Sequence, residues 1–462
     1  MTASSDKSSM ENIISLAKRR GFIYRGSDVY GGLAGTWDWG PLGVALKRNI
    51  MREWWNFWVE KRDEIYGVDA AIIMNPAVWR ASGHVATFSD PLVEDLVNHR
   101  RYRADHLLKD AGIDAEGLTN DDITKLIREN NVKSPDGNDL SDVRSFNMMF
   151  QTHVGPVSDE TSVAYLRPET AQGIFTNYKN VLDSFYPTLP FGLAQQGKAF
   201  RNEISPRDFI FRSREFEQME IEYFIDPDKW EVEFAKLLAL VHEFLENKIG
   251  LDATKIHELD VPENDRAHYS RKTIDIEFDY PIGREELMGL AYRTDFDLGN
   301  IDRASGKSMI YRPKPGTPEF ERHGKEGFIP HVIEPSFGVE RLVMAVLTQE
   351  LIEKDSRTIL ALPKHLAPIF ATVSPLLKNK PELADKAREV FAKLSEEFSG
   401  RVSWDDSGNI GKRYAKADEI GCPFCIVIDF ESLENDDVTV RFRDSGEQER
   451  VKISKLGDFL TK

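Results

Sequence analysis

Only two cysteines occur in 462 residues. They stand at Cys422 and Cys425, and a lone Cys-x-x-Cys pair cannot supply the four ligands of a structural zinc site. Lying at the head of an apolar run, both are expected to be packed in a core, so no zinc is expected on protein cysteines. Long apolar runs are also missing. None approaches the length that crosses a bilayer, and the opening MTASSDKSSM lacks the apolar core of a secretion signal. These absences predict a cytoplasmic chain with no membrane partner. Positive charge is in deficit, 60 lysines and arginines against 77 acidic residues, for a net charge of -17. Indiscriminate nucleic-acid binding needs an overall basic field and is excluded; a shaped RNA met by local basic groups is not. Such groups stand at Lys18-Arg19-Arg20, Arg100-Arg101-Arg103 and Lys412-Arg413-Lys416. Each reads as a solvated face or an RNA contact.

The length allows two to four domains with a large buried core. Residues 1–9 are small and polar and read as a disordered tail. A helix is predicted over Glu11–Arg20. The stretch YGGLAGTWDWGPLG, Tyr30 to Gly43, then opens into a long helix with Leu46, Ile50, Trp54, Phe57 and Trp58 at helical spacing and Pro41 in its first turn. So aromatic a face, with Trp54, Trp55 and Trp58, must be buried against the core or a second subunit. Residues 91–156 turn polar and read as an insertion with a capped helix within Leu118–Asn131. Further on, Lys229–Lys248 has helical periodicity, and Lys272–Tyr280, Glu286–Leu298 and Phe328–Gly338 read as strands. From 358 a proline-punctuated linker, ILALPKHLAP, leads into alternating short strands and helices over 358–462.

The chain is organised around GKAFRNEISPRDFIFRSREFEQME, Gly197 to Glu220. It reads as a hairpin with FRNE on one arm, ISPRD as the turn and Phe209–Phe224 as the second arm. A side-chain period of two puts Arg212, Arg214, Phe216, Gln218 and Glu220 on one face. Arg201 with Arg212 or Arg214 suits bidentate pairing with phosphate oxygens, Phe216 offers a ring to a base, and Glu203 and Glu220 accept from amino groups. Together these suit a nucleoside triphosphate and an amine-bearing co-substrate.

Phe-Arg-x-Glu followed by Arg-x-x-x-Phe-x-x-x-Glu resembles motif 2 of the class II aminoacyl-tRNA synthetases, which binds ATP in that family. Gly40-Pro41-Leu42-Gly43 resembles motif 1, which builds the family's dimer, so the resemblance implies a homodimer. A strand carrying Glu334 and Ser336 into a helix with Arg341 resembles motif 3. Together with RPETAQG, which spans Arg167 to Gly173, and EPSFGVER, these motifs are similar to glycyl-tRNA synthetases of the homodimeric type over nearly the whole chain. The implied fold class is α+β: an antiparallel-sheet class II catalytic domain with flanking helices over 10–357, then a mixed-sheet α/β anticodon-binding domain over 358–462. Relatives can carry a zinc element near the insertion, but PLVEDLVNHRRYRADHL has no cysteine to hold one.

The implied activity is glycine activation by ATP with Mg2+, then transfer to tRNA(Gly). ATP is expected on Arg201, Asn202, Glu203, Phe211, Arg212, Ser213, Arg214, Glu215 and Phe216, and on Gly338, Val339, Glu340 and Arg341. Arg201 would hold the α-phosphate, and Arg212 and Arg341 the outer phosphates. Glu286, beside Leu287, would anchor magnesium. Glycine is expected on Glu169, on Phe216, Glu217, Gln218, Met219 and Glu220, and on Glu334, Pro335, Ser336, Phe337 and Gly338. Three clustered carboxylates repel and suit a site completed by a cation. Arg103 and Arg293 are candidates for the substrate carboxylate, and Arg413, Tyr414 and Lys416 for tRNA. A synthetase for another small amino acid would lose the acidic pocket. A non-catalytic accessory relative would lose the arginines, yet Arg201, Arg212 and Arg341 all stand.

Overall fold

In the computed structural model, which describes residues 9–461 apart from 116, 268, 355, 356 and 399, a seven-stranded sheet carries the catalytic half. Its strands are β1 (Ile65–Gly67), β2 (Phe191–Phe200), β3 (Glu215–Ile225), β4 (Ile256–Asp260), β5 (Lys272–Tyr280), β6 (Gly283–Thr294) and β7 (His331–Gly338). They run in the order β4-β5-β6-β7-β3-β2-β1, antiparallel throughout except for the β1–β2 pair. The helices used below are α1 (Met10–Arg20), α2 (Pro41–Trp55), α3 (Pro76–Ala81), α4 (His84–Thr87), α5 (Ala171–Phe185), α6 (Trp230–Glu243), α7 (Val339–Glu350), α8 (Pro381–Glu397) and α9 (Ile410–Glu419). The tail expected over 1–9 lies outside the described residues except for Ser9, whose hydroxyl accepts the Asn12 N–H and caps α1.

Alternation explains why β3 and β7 occupy the middle of the sheet. Met219, Ile221, Ile333 and Phe337 enter the main core on one face, while Gln218, Glu220, Glu334 and Ser336 face the other way. Helix α2 covers the apolar face. Pro41 sits in its first turn, and Leu46, Ile50 and Trp54 point inward. A π-helical turn over Asn56–Glu60 adds a residue to the repeat, so Phe57 and Trp58 are buried together. Trp54, Trp58 and Phe244 all make ring contacts with Phe337, at 6.3, 6.1 and 5.5 Å. The aromatic face therefore closes the protomer's own core. Trp54 and Trp58 are 0% exposed, so the subunit-interface reading of these rings is corrected.

Two expected strands change shape. The second hairpin arm begins at Glu215 rather than Phe209, leaving residues 201–214 as a loop between Phe200 and Glu215, which pair directly. Gly35 fixes that loop from outside: its φ is +70°, and a Cβ there would lie 2.4 Å from Pro206. The strand expected over Glu286–Leu298 stops at Thr294, and Phe296–Ser305 is helical.

The insertion has a small core of its own. Ser89–Glu94 pairs with Arg101–Arg103 and Arg144–Asn147, and Val93, Leu108, Ile123 and Ile127 are buried together. In the C-terminal half, β8 (Ala371–Pro375), β9 (Val402–Trp404), β10 (Phe424–Ile428), β11 (Asp437–Phe442) and β12 (Gln448–Lys452) form a mixed sheet in the order β9-β8-β10-β11-β12. Helix α8 packs its Leu383, Ala387, Val390 and Leu394 into that core. The connecting segment is no free linker: Leu360, Leu362, Leu366 and Ala367 are buried in the catalytic core, and the Asn49 side chain of α2 donates to the Leu366 and Ala367 carbonyls. Leu42, in the first turn of α2, packs on the Cys422–Cys425 cluster of the C-terminal half, and Arg19 and Arg20 pair with Glu419.

Candidate active site

The polar face of β3 and β7 floors a cavity of about 440 Å³. Its charge is divided. Glu169, from the entry to α5, joins Glu220 of β3 and Glu334 of β7, which the β3–β7 pairing of Glu220 with Ser336 brings side by side. Toward the other end stand Arg212, Arg341, Glu203 and Glu286. Arg201 links the halves, its positive charge acting on both Glu169 and Glu286. The Arg201 guanidinium lies over the Phe216 ring at 5.3 Å and the Phe88 ring at 5.5 Å.

Glu220 is held rigidly. Its Oε1 accepts from Ser336 Oγ at 2.6 Å and Gln218 Nε2 at 2.7 Å, and its Oε2 accepts from the Thr170 N–H at 3.1 Å and from the Thr170 hydroxyl. Burial and the neighbouring Glu169 push its carboxyl upward. Burial likewise pushes Glu334 up to about 7, against the pull of Arg293. Burial also opposes the ionisation of Glu169, but His84, Arg293 and Arg201 outweigh it and hold that carboxyl below the usual range. Beneath them Glu222 is fully buried with neither oxygen hydrogen-bonded among the described residues, and desolvation pushes its carboxyl well above the usual range. The floor gathers three buried carboxyl groups, Glu169, Glu220 and Glu334, at one end of the cavity.

At the other end Glu203 Oε2 is buried, accepts no hydrogen bond from the described residues, and forms only a long ion pair with Arg212 at 3.9 Å. Arg341 pairs with Glu286 at 2.9 Å, which pulls the Glu286 carboxyl down. Asp275 of β5 also lines the cavity, accepts no hydrogen bond from any described residue, and is pushed up to about 7 by burial and by Glu286. Asp275 and Glu286 thus supply two carboxyl groups to this end of the cavity, oxygen donors of the kind a divalent cation takes.

Comparison with known proteins places this geometry. Over 98% of its length the chain is 45% identical to a glycine–tRNA ligase of Deinococcus radiodurans, covering 98% of that protein. A Bacillus cereus glycine–tRNA ligase is 45% identical with coverage of 98% and 99%, and one from Cutibacterium acnes is 42% identical with 99% and 97%. The chain belongs to the glycine–tRNA ligase family. Residues 150–350 match the tRNA synthetase class II core domain (G, H, P, S and T), and residues 371–462 match an anticodon binding domain. The Giardia lamblia prolyl-tRNA synthetase in complex with prolyl-adenylate shares the fold at a TM-score of 0.66 and 16% identity, over 98% of this chain and 77% of that one.

Within this glycine–tRNA ligase fold, Glu169, Glu203, Phe211, Arg212, Ser213, Phe216, Gln218, Glu220, Glu286, Leu287, Ser336, Gly338, Glu340 and Arg341 line the cavity together with Arg201 and Glu334. Several expected residues do not. Because 201–214 is a loop, Arg214 leaves the face shared by Phe216 and Glu220. Its guanidinium instead donates to the Glu203 and Ala34 carbonyls and braces the loop. Asn202 is not among the lining residues, and its backbone N–H donates to the Met148 carbonyl. Glu215 pairs with Lys198 and Glu217 with Lys47, on the far face where Met219 is core. Pro335 and Phe337 are buried away from the cavity for the same reason of alternation, and Val339, the first residue of α7, is buried in the main core.

Arg293 is also corrected. It is 1% exposed, donates to Asp297 at 2.8 and 3.1 Å and to Glu334 at 2.8 Å, and so orients Glu334 from behind. Arg103 does line the cavity, but its charge bears on Glu203 and Arg212, at the end opposite the acidic floor, and Asp90 and Asp105 hold it there. In the C-terminal half none of the three expected RNA contacts is free. Arg413 is buried and caps the Pro375, Asp406, Ser407 and Gly408 carbonyls, Tyr414 lies under Arg441, and Lys416 pairs with Asp405. Cys422 and Cys425 are buried, and burial pushes the Cys422 thiol up to about 11.

Sequence reading missed Thr170, although it lies inside RPETAQG, and Asp275, whose polar position in a strand of the cavity sheet was the available signal. Since Arg413 satisfies four carbonyl oxygens, Arg413→Ala is expected to lower stability by about 2–4 kcal/mol, measured by urea unfolding of the full chain. A stability unchanged within about 0.5 kcal/mol would return Arg413 to the surface.

Proposed function

We propose that the chain is an ATP-dependent glycine–tRNA ligase, which activates glycine to glycyl-adenylate and transfers the glycyl group to the 3′ end of tRNA(Gly) in the cytoplasm. The observation that carries this is one cavity in which a basic end for a triphosphate meets an acidic floor for an ammonium group. A glycine carboxylate oxygen attacks the α-phosphorus, the α–β bridging bond breaks, and pyrophosphate leaves. A hydroxyl of the terminal ribose then attacks the glycyl carbonyl, and AMP leaves. No side-chain nucleophile is required; positioning and charge stabilisation supply the catalysis.

Arg201 takes the α-phosphate, its link to both halves of the site placing it where carboxylate and phosphate meet. Arg212 and Arg341 take the outer phosphates, Phe216 stacks on adenine and the open Glu203 oxygen accepts its amino group. Class II synthetases use ATP with Mg2+; here Glu286 and Asp275 would hold the ion, which supplies charge neutralisation on the phosphates. Glu169, Glu220 and Glu334 receive the ammonium group. The four hydrogen bonds on Glu220 make that floor unyielding, so a β-methyl group has nowhere to go.

No helix among the described residues is long and apolar enough to cross a membrane. A homodimer is the proposed assembly. Its support is the ribbon between Ile23–Arg25 and Trp37–Trp39, just ahead of α2, where Val29 and Tyr30 are 89% and 92% exposed. Sedimentation should give twice the chain mass for the wild type and a monomer for the double variant Val29→Asp, Tyr30→Asp. A wild-type monomer would sink the assembly.

Amino-acid-dependent exchange of pyrophosphate into ATP tests the activity. Exchange is expected with glycine but not with alanine, serine or proline, and Arg201→Ala should reduce it at least about a hundredfold. Exchange with a different amino acid would overturn the pocket assignment, and none at all in a folded protein would favour a non-catalytic relative. The pH dependence follows from Glu334. Near neutrality its carboxyl is part-protonated, and only the ionised form receives the ammonium group, so KM for glycine should fall as pH rises from 6 toward 8 and then level, by up to about tenfold per unit. A flat profile over that range would remove Glu334 from the site.

A further inference from the structure

Glu169 is backed by two polar residues that do not themselves line the cavity. Ser82 Oγ is 2.8 Å from His84 Nδ1, and His84 Nε2 is 3.3 Å from Glu169 Oε2. All three are buried, at 4%, 6% and 7% exposed, and the imidazole makes ring contacts with Trp79 at 5.4 Å and Phe88 at 5.6 Å. Gly83 between them has φ +87°, a conformation that strains any side chain, and it joins α3 to α4 at this point.

The hydrogen-bond roles are fixed by this arrangement. To donate to Glu169, Nε2 must carry a hydrogen; Nδ1 of the neutral ring is then an acceptor, and the Ser82 hydroxyl supplies its donor. In the protonated ring Nδ1 also donates. Ser82 can then accept and turn its own hydrogen toward the Trp79 carbonyl at 3.4 Å. Both ring states keep a donor toward Glu169 and a partner for the Ser82 hydroxyl. The second Glu169 oxygen is touched by Gln172 Nε2, at 3.4 Å. The same short segment also reaches the phosphate end, because Phe88 lies against both His84 and Arg201.

We propose that Ser82 and His84 are positioning residues for glycine, holding the Glu169 carboxylate aimed at the substrate ammonium group. This rests on the functional reading above. Loss of a hydrogen bond to a charged carboxylate should act on the amino acid and leave the nucleotide alone, which separates positioning from general packing.

The test is pyrophosphate exchange with separate KM values for glycine and ATP, plus melting temperature, for the wild type, His84→Leu, His84→Gln and Ser82→Ala. His84→Leu should raise the glycine KM by about ten- to a hundredfold while the ATP KM stays within about twofold. His84→Gln, whose amide can still donate toward Glu169, should recover the glycine KM to within about fivefold of wild type, and Ser82→Ala should raise it about threefold or more. An unchanged glycine KM in His84→Leu, or equal rises for glycine and ATP without recovery in His84→Gln, overturns the proposal. If His84→Leu does not fold, Ser82→Ala decides: an unchanged glycine KM overturns it equally. Wild type without glycine-dependent exchange overturns the functional reading and this one with it, whereas the variant outcomes bear on this one alone.

Discussion

The pairing of Glu220 with Ser336 across two central antiparallel strands is the constraint on which the site depends. It sets β3 and β7 in one register, and that register places Gln218, Glu220, Glu334 and Ser336 on one face with Met219, Ile333 and Phe337 on the other. A slip of one residue would turn the carboxylates into the aromatic core and the core into the cavity. The register is therefore defended from below. Phe337 is surrounded by Trp54, Trp58 and Phe244, and no shifted arrangement would fill that space with a ring.

Burying so many carboxyl groups near one another is costly, and each is met differently. Arg293 donates to Glu334 from behind, His84 attends to Glu169, neutral donors surround Glu220, and burial pushes the Glu222 carboxyl well above its usual range. What remains unbalanced is on the cavity side. That is the side on which the proposed function places the substrate's ammonium group, and the hydrogen bonds on Glu220 hold the floor there in place.

Much of this was legible in the sequence because the motifs combine a spacing with a chemistry. FRNE, RPETAQG and EPSFGVER bring Arg201, Glu203, Glu169, Glu334, Ser336 and Arg341 to a single cavity, and Pro41 starts the helix that covers the sheet. The errors lie where period-two alternation was carried past the end of a strand, as at Arg214, or where local charge was taken for accessibility, as at Arg293 and Arg413. An arginine looks the same in sequence whether it meets solvent or caps four carbonyls. Ser82 and His84 lie in no motif, and their partner is 85 residues away along the chain from His84; only the tertiary fold joins them.

Asn49 is a small feature with a wide reach. By holding the carbonyls of Leu366 and Ala367, this α2 side chain pins to the catalytic core a stretch that falls between the two regions matched to known families. Leu360, Leu362 and Leu366 are then as much part of the catalytic core as of the road to the C-terminal sheet. A cut placed after residue 350 would uncover that core and leave a bare apolar seam, so the divisions that describe ancestry do not mark where the polypeptide can be parted. The two halves match separate family models and are joined in folding.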